Sequence, residues 1–110
     1  MTFAKLRGTG LALAIAAAIL LQRGATAHAQ EVQVTIDNFT FAPTELAVKV
    51  GDTVTWINHD DIPHTVVSAG KFRSNTMDTD DKYSFTFTSA GDYKYFCSLH
   101  PHMTGMIKVE

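Results

Sequence analysis

From Glu31 onward the apolar residues recur with a period of two, and helical periodicity is hard to find. Val32, Val34 and Ile36 alternate with Gln33 and Thr35, and Leu46, Val48 and Val50 alternate with Ala47 and Lys49. Gly51-Asp52 is a turn signal, followed by a third strand over Thr53 to Ile57 that contains Val54 and Trp56. Tyr83, Phe85 and Phe87 point one way and Ser84, Thr86 and Thr88 the other. After the turn Ala90-Gly91-Asp92, strands are expected at Tyr93 to Cys97 and Gly105 to Val109, with a further one at Thr65 to Ser68. Gly70 to Asp81 is polar and irregular, a loop with one short strand at Lys71 to Arg73. Many short strands separated by turn residues predict an all-β, antiparallel sandwich or barrel. No repeat or interdomain linker interrupts it, so a single domain is expected.

The segment before Glu31 has a different character. Lys5 and Arg7 give a positive start, Leu11 to Leu21 is an unbroken apolar run of eleven residues, and Ala27-His28-Ala29 has the small-x-small form of a cleavage site. Residues 1–29 are therefore expected to be a cleaved secretory signal peptide and residues 30–110 the working domain. A spanning helix needs about 20 apolar residues, so a membrane anchor fits less well. The remaining 81 residues carry six basic and eleven acidic side chains, a net charge of −5 with His neutral. That balance disfavours nucleic acid and anionic membranes as partners. The chain is also too short to house a substrate domain beside a cofactor domain.

One cysteine, Cys97, survives in a chain expected to be exported. It cannot form an internal disulfide, and a free thiol is a liability in an oxidising compartment, so metal ligation explains it best. A buried, inert cysteine would be the simpler account if its neighbours were different. Here Cys97-Ser98-Leu99-His100-Pro101-His102-Met103 places a thiol, an imidazole and a thioether within seven residues, and Pro63-His64-Thr65 offers a second imidazole. Two His, one Cys and a weak axial Met form the ligand set of a blue-copper electron-transfer centre. Zinc also accepts Cys and His, but Met is a poor zinc ligand. A nucleophilic Cys97–His64 pair would leave His100 and Met103 unexplained.

At these residues the chain resembles a small cupredoxin of the amicyanin and plastocyanin type. Phe41-Ala42-Pro43, then Gly51-Asp52-Thr53-Val54-Thr55-Trp56-Ile57-Asn58 and Pro63-His64, resembles the first-ligand half of that family. Gly91-Asp92-Tyr93-Lys94-Tyr95-Phe96-Cys97 followed by His100 and Met103 resembles the second, with the short Cys-x2-His-x2-Met loop of amicyanins. The resemblance implies a Greek-key β-sandwich holding one copper, cycling between Cu(I) and Cu(II). His64, Cys97 and His100 would be the trigonal ligands, both His binding through Nδ1, and Met103 the axial one. It also implies that the exposed edge of His100 is the port for electrons. Family members often carry Asn directly after the first His, where this chain has Thr65.

The function expected is a one-electron carrier in the periplasm, a monomer without a membrane span in its mature form. Its partners would be redox proteins such as a cytochrome, a dehydrogenase or a reductase. A copper-binding or copper-delivery protein is the alternative, for which His102 and Met106 are faint cues. An oxidase or nitrite reductase would need a second copper site with its own His set, and only four His follow residue 29. Elsewhere, His59 is expected to be a solvated loop residue, His102 an exposed neighbour of the site and Met106 a core or rim residue. Met77 and Asp78-Thr79-Asp80-Asp81 are expected on a loop surface, without the full ligand spacing of a calcium site. Trp56 is expected in the core.

Overall fold

The structure is a computed structural model describing residues 28–110. The expected signal segment, residues 1–29, lies almost wholly outside the described residues. Nine strands follow in order: β1 (Glu31–Asp37), β2 (Thr40–Ala42), β3 (Glu45–Val48), β4 (Thr53–Asn58), β5 (Val67–Ser68), β6 (Phe72–Arg73), β7 (Lys82–Thr86), β8 (Gly91–Cys97) and β9 (His100–Val109). They form two sheets, ordered β2-β1-β4-β7 and β3-β9-β8-β5-β6. The period-two alternation is what makes two layers possible, because it gives each strand one face to bury. Val34, Ile36, Val54 and Trp56 of the first sheet and Tyr95, Cys97, Ile107 and Val109 of the second fill the space between them.

The sandwich is mixed rather than purely antiparallel. β1 pairs in parallel with β4 in the register Val34 with Trp56, and β3 pairs in parallel with β9 in the register Leu46 with Ile107. A parallel pair cannot be closed by a tight turn. The chain instead crosses to the second sheet as β3 before returning to the first as β4.

This topology gathers three connections at one end. β1, β4 and β8 all finish there, so the segments following Asp37, Asn58 and Cys97 lie side by side. Hydrogen bonds tie them together: Asp60 accepts from the amides of Asn38 and Phe39, and the amide of Thr65 donates to the sulfur of Cys97. Behind them Tyr95 packs edge-on against Phe41 and Trp56, with ring centroids 4.7 and 5.4 Å apart. Rings locked in this way give the loops above them a stiff floor.

Two local expectations are corrected. Met77, expected on a loop surface, is buried: its backbone forms a two-way bridge with His64, N–H to carbonyl at 2.8 and 3.1 Å. That bridge turns its side chain into the core. The last strand begins at His100 rather than at Gly105, because the β8–β9 ladder continues past Met103 and closes with a register shift at Phe96/Cys97. Met103 is thus a strand residue, and the apparent ligand loop is a tight hairpin turn at Ser98 and Leu99.

Candidate metal centre

Cys97 ends β8 with its side chain fully buried, and His100 opens β9 three residues later, partly exposed. His64 comes from the connection after β4 and is completely buried. Both imidazoles turn Nδ1 toward the sulfur: His64 Nδ1 lies 3.7 Å and His100 Nδ1 3.6 Å from Cys97 Sγ. One ligand atom from each residue falls within 4.8 Å of the other two, the only such cluster of His, Cys or acidic side chains among the described residues. Metal bonds of about 2.0 Å to nitrogen and 2.3 Å to sulfur, meeting at about 110–120°, would hold such atoms about 3.5–3.7 Å apart. The donor triangle therefore has the size of a metal site. Met103 is buried on β9 in the same core cluster as Cys97.

The electrostatics favour a thiolate. Burial by itself pushes the Cys97 thiol up, while the Thr65 amide and hydroxyl donate to the sulfur and pull it down. A neutral-pH thiolate is the form that binds metal. Its hydrogen bonds come from the Thr65 N–H at 3.3 Å and the Thr65 hydroxyl at 3.7 Å. That hydroxyl also accepts the Ser98 N–H at 2.8 Å and lies 2.8 Å from the Ser98 hydroxyl. Thr65 thus joins the His64 segment to the turn after Cys97, by a shorter side chain than the Asn frequent in the resembled family.

Residues not singled out in the sequence hold this end in place. Asn58, fully buried, donates through Nδ2 to the carbonyls of Ile62 and Met77 and accepts the Asp60 N–H on Oδ1. Its side chain thereby folds the turn that leads into His64. Asp60 Oδ2 lies 2.7 Å from His64 Nε2. Burial works to raise the Asp60 pKa, but the Phe39 amide, His64 and the Asn38 amide hold it below its ordinary value. In the sequence a ligand imidazole only implies some partner on its other nitrogen, and nothing there sets Asp60 apart from Asp61 or a backbone carbonyl.

The other polar candidates stay outside the cluster. His59 is exposed, with Nδ1 3.7 Å from an oxygen of Asp80, His102 is exposed beside Met103, and Met106 is partly buried. Phe39, edge-on to His100, and Leu99, the chain neighbour of His100, are about half exposed. Trp56 is in the core.

Comparison with known proteins agrees with this geometry. A family described as cupredoxin-like domain matches residues 10–109. Amicyanin of Paracoccus versutus is 39% identical, the match covering 74% of this chain and 67% of the relative. Amicyanin of Paracoccus denitrificans is 41% identical over 72% of this chain and 65% of its own length. The chain thus spans about two thirds of the length of these relatives. Among solved structures, an oxidised amicyanin variant superposes with a TM-score of 0.70 at 40% identity, covering 72% of this chain and 81% of the other. A Cu(I) form of another amicyanin variant gives 0.71 at 39% identity, covering 78% and 88%.

Proposed function

The chain belongs to the cupredoxin-like family, and on that footing we propose that it is a type 1 copper protein that carries single electrons between redox proteins in the periplasm. The observation that carries the proposal is the convergence of the Cys97 sulfur and two imidazole Nδ1 atoms at one end of a rigid sandwich. His64, Cys97 and His100 would hold the metal as trigonal ligands, with Met103 as the weak axial one. When bound, copper supplies a one-electron couple between Cu(II) and Cu(I).

The chain's own residues supply the rest. Cys97 and His100 are fixed by a tight hairpin turn, His64 by its backbone bridge to Met77, and Thr65 links the two segments. A frame held at so many points resists rearrangement between the geometries that the two oxidation states prefer. His64 is sealed from solvent while His100 reaches the surface beside the apolar Phe39 and Leu99. Electrons would enter and leave at His100, where a partner can approach the ring with little water to displace. Nothing in this role calls for a substrate cleft or a general base.

The decisive measurement is the visible spectrum of the oxidised protein after addition of copper. An intense blue thiolate-to-copper charge-transfer band is expected, and copper bound without it would remove the type 1 reading.

A further inference from the structure

Only one nitrogen of His64 faces Cys97; the other is held by Asp60. The Asp60 side chain is 11% exposed, and beyond His64 it accepts the Asn38 N–H on Oδ1 at 2.6 Å and the Phe39 N–H on Oδ2 at 2.9 Å. An ionised carboxylate can only accept hydrogen bonds, so His64 Nε2 carries the proton and Nδ1 keeps its lone pair toward the sulfur. Asp60 is itself fixed, its N–H bound to Asn58 Oδ1 at 2.9 Å and its carbonyl to the Thr79 hydroxyl at 2.6 Å.

The same carboxylate shapes the turn between β1 and β2. Asn38 and Phe39 are consecutive non-glycine residues at φ 51° and 58°, a left-handed conformation that costs energy unless its surroundings enforce it. Both amides of that turn end on Asp60. The turn in turn presents the Phe39 ring edge-on to His64 and His100, at centroid distances of 5.4 and 5.0 Å and interplanar angles of 90° and 89°. One side chain thus fixes the tautomer and rotation of His64 and seats the ring that covers both imidazoles.

We propose that Asp60 is a positioning residue that lowers the reduction potential of the centre by holding His64 as an Nε2–H tautomer with a carboxylate behind it. The proposal rests on the copper reading above. A carboxylate partner makes the imidazole a stronger donor. A fixed negative charge near the metal also favours the more highly charged Cu(II), and it is screened less here than it would be in open solvent.

Asp60→Asn removes the charge and leaves one carbonyl oxygen for the turn. The ratio of Cu(II) to Cu(I) affinities should fall about tenfold, which is a rise in potential of ~59 mV for a one-electron couple. In the metal-free protein, nitrogen-15 NMR above the imidazole titration range should show parent His64 as Nε2–H and the variant as a mixture of tautomers. Phe39→Leu keeps the carboxylate on His64 and should leave the tautomer unchanged and the potential much closer to the parent. Asp60→Glu retains the charge and should also stay near the parent, which keeps the test open if the Asn variant does not fold.

Four results overturn the proposal. They are a parent His64 found as Nδ1–H, an Asp60→Asn protein with parental potential and tautomer, a Phe39→Leu protein that reproduces the whole shift, and an Asp60→Glu protein as shifted as Asp60→Asn. A parent that shows no blue band removes the copper reading instead, and the metal-free NMR still decides whether Asp60 fixes His64.

Discussion

Cys97 carries the heaviest demand placed on one side chain, because it is both a core residue and the only thiolate. Cys97→Ser should abolish the blue band while leaving the β circular dichroism of a folded sandwich, since a hydroxyl is not ionised at neutral pH. A blue Ser variant would exclude Cys97 as a ligand. Met103→Leu and Met103→Gln should both keep copper, with the apolar replacement raising the potential, because an axial thioether is a weak donor whose loss favours Cu(I). Voltammetry that finds both variants at the parental potential would exclude Met103 and bring Met106 forward. Thr65→Val tests the link between the two ligand segments. It leaves the Ser98 N–H without its acceptor and removes one hydrogen bond to the sulfur. A stability loss of about 1–3 kcal/mol in the metal-free protein is expected by chemical denaturation. The potential should fall as well, because a hydrogen bond to the thiolate stabilises the more electron-rich reduced state. Cys97, His64, His100 and Met103 were singled out as candidate ligands in the sequence because soft ligands at short spacing are rare by chance. Asp60 and Asn58 were not, since a polar turn looks the same whether its carboxylates face solvent or a ring nitrogen.

At the scale of elements, the β8–β9 hairpin is where packing and ligand placement depend on each other. Tyr95 is paired with Gly105 across the ladder, and a Cβ on Gly105 would run into the Tyr95 ring. That ring is buried and packs edge-on against Phe41 and Trp56. Gly105→Ala should therefore cost about 1–3 kcal/mol by overpacking. It should also perturb the copper spectrum, because the same hairpin carries Cys97, His100 and Met103. A Gly105→Ala protein as stable as the parent would show that Tyr95 can shift. The strands themselves were visible as alternation, but their limits were not. β9 runs on through Pro101 and His102 with no apolar alternation to announce it, because the hairpin closes at Cys97 and His100 and leaves residues 101–103 in the register shift. β2 is three residues long, too short for any period to register. Met77 was hidden for a related reason, since one apolar residue in a polar stretch is buried or exposed according to what its backbone pairs with.

For the whole molecule, acid should act through the carboxylates that anchor backbone ends. Asp52 accepts the Gln30 N–H on Oδ1 and the Lys49 N–H on Oδ2, both at 2.9 Å. The Gln30 and Lys49 amides hold its pKa below the ordinary 3.8, against the opposing effect of burial and with help from the Lys49 charge. A carboxylate with a lowered folded pKa adds stability above its unfolded value, and that stability is lost as pH falls through the folded one. Metal-free parent protein should therefore be at full stability near neutral pH and weaken below 3.8. Asp52→Asn should be less stable near neutral pH and converge on the parent in acid; parallel curves would exclude the anchor. The same contact bears on processing. Cleavage before Gln30 would leave its nitrogen as a donor to Asp52, and mass spectrometry of periplasmic protein should find a chain starting at Gln30. A product that keeps Leu11 to Leu21 would point to an anchored carrier. The sequence by itself determined the all-β class, the ligand types and the chemistry they select, because alternation and donor softness are properties of residues in order. Only the tertiary structure decided that β1 and β4 run in parallel, that three connections meet at one end, and that Asp60 stands behind His64. The first two are relations between segments more than twenty residues apart, fixed by which faces bury against each other; the third joins residues only four apart, and it is set by which buried polar atoms must find partners once the turn has folded.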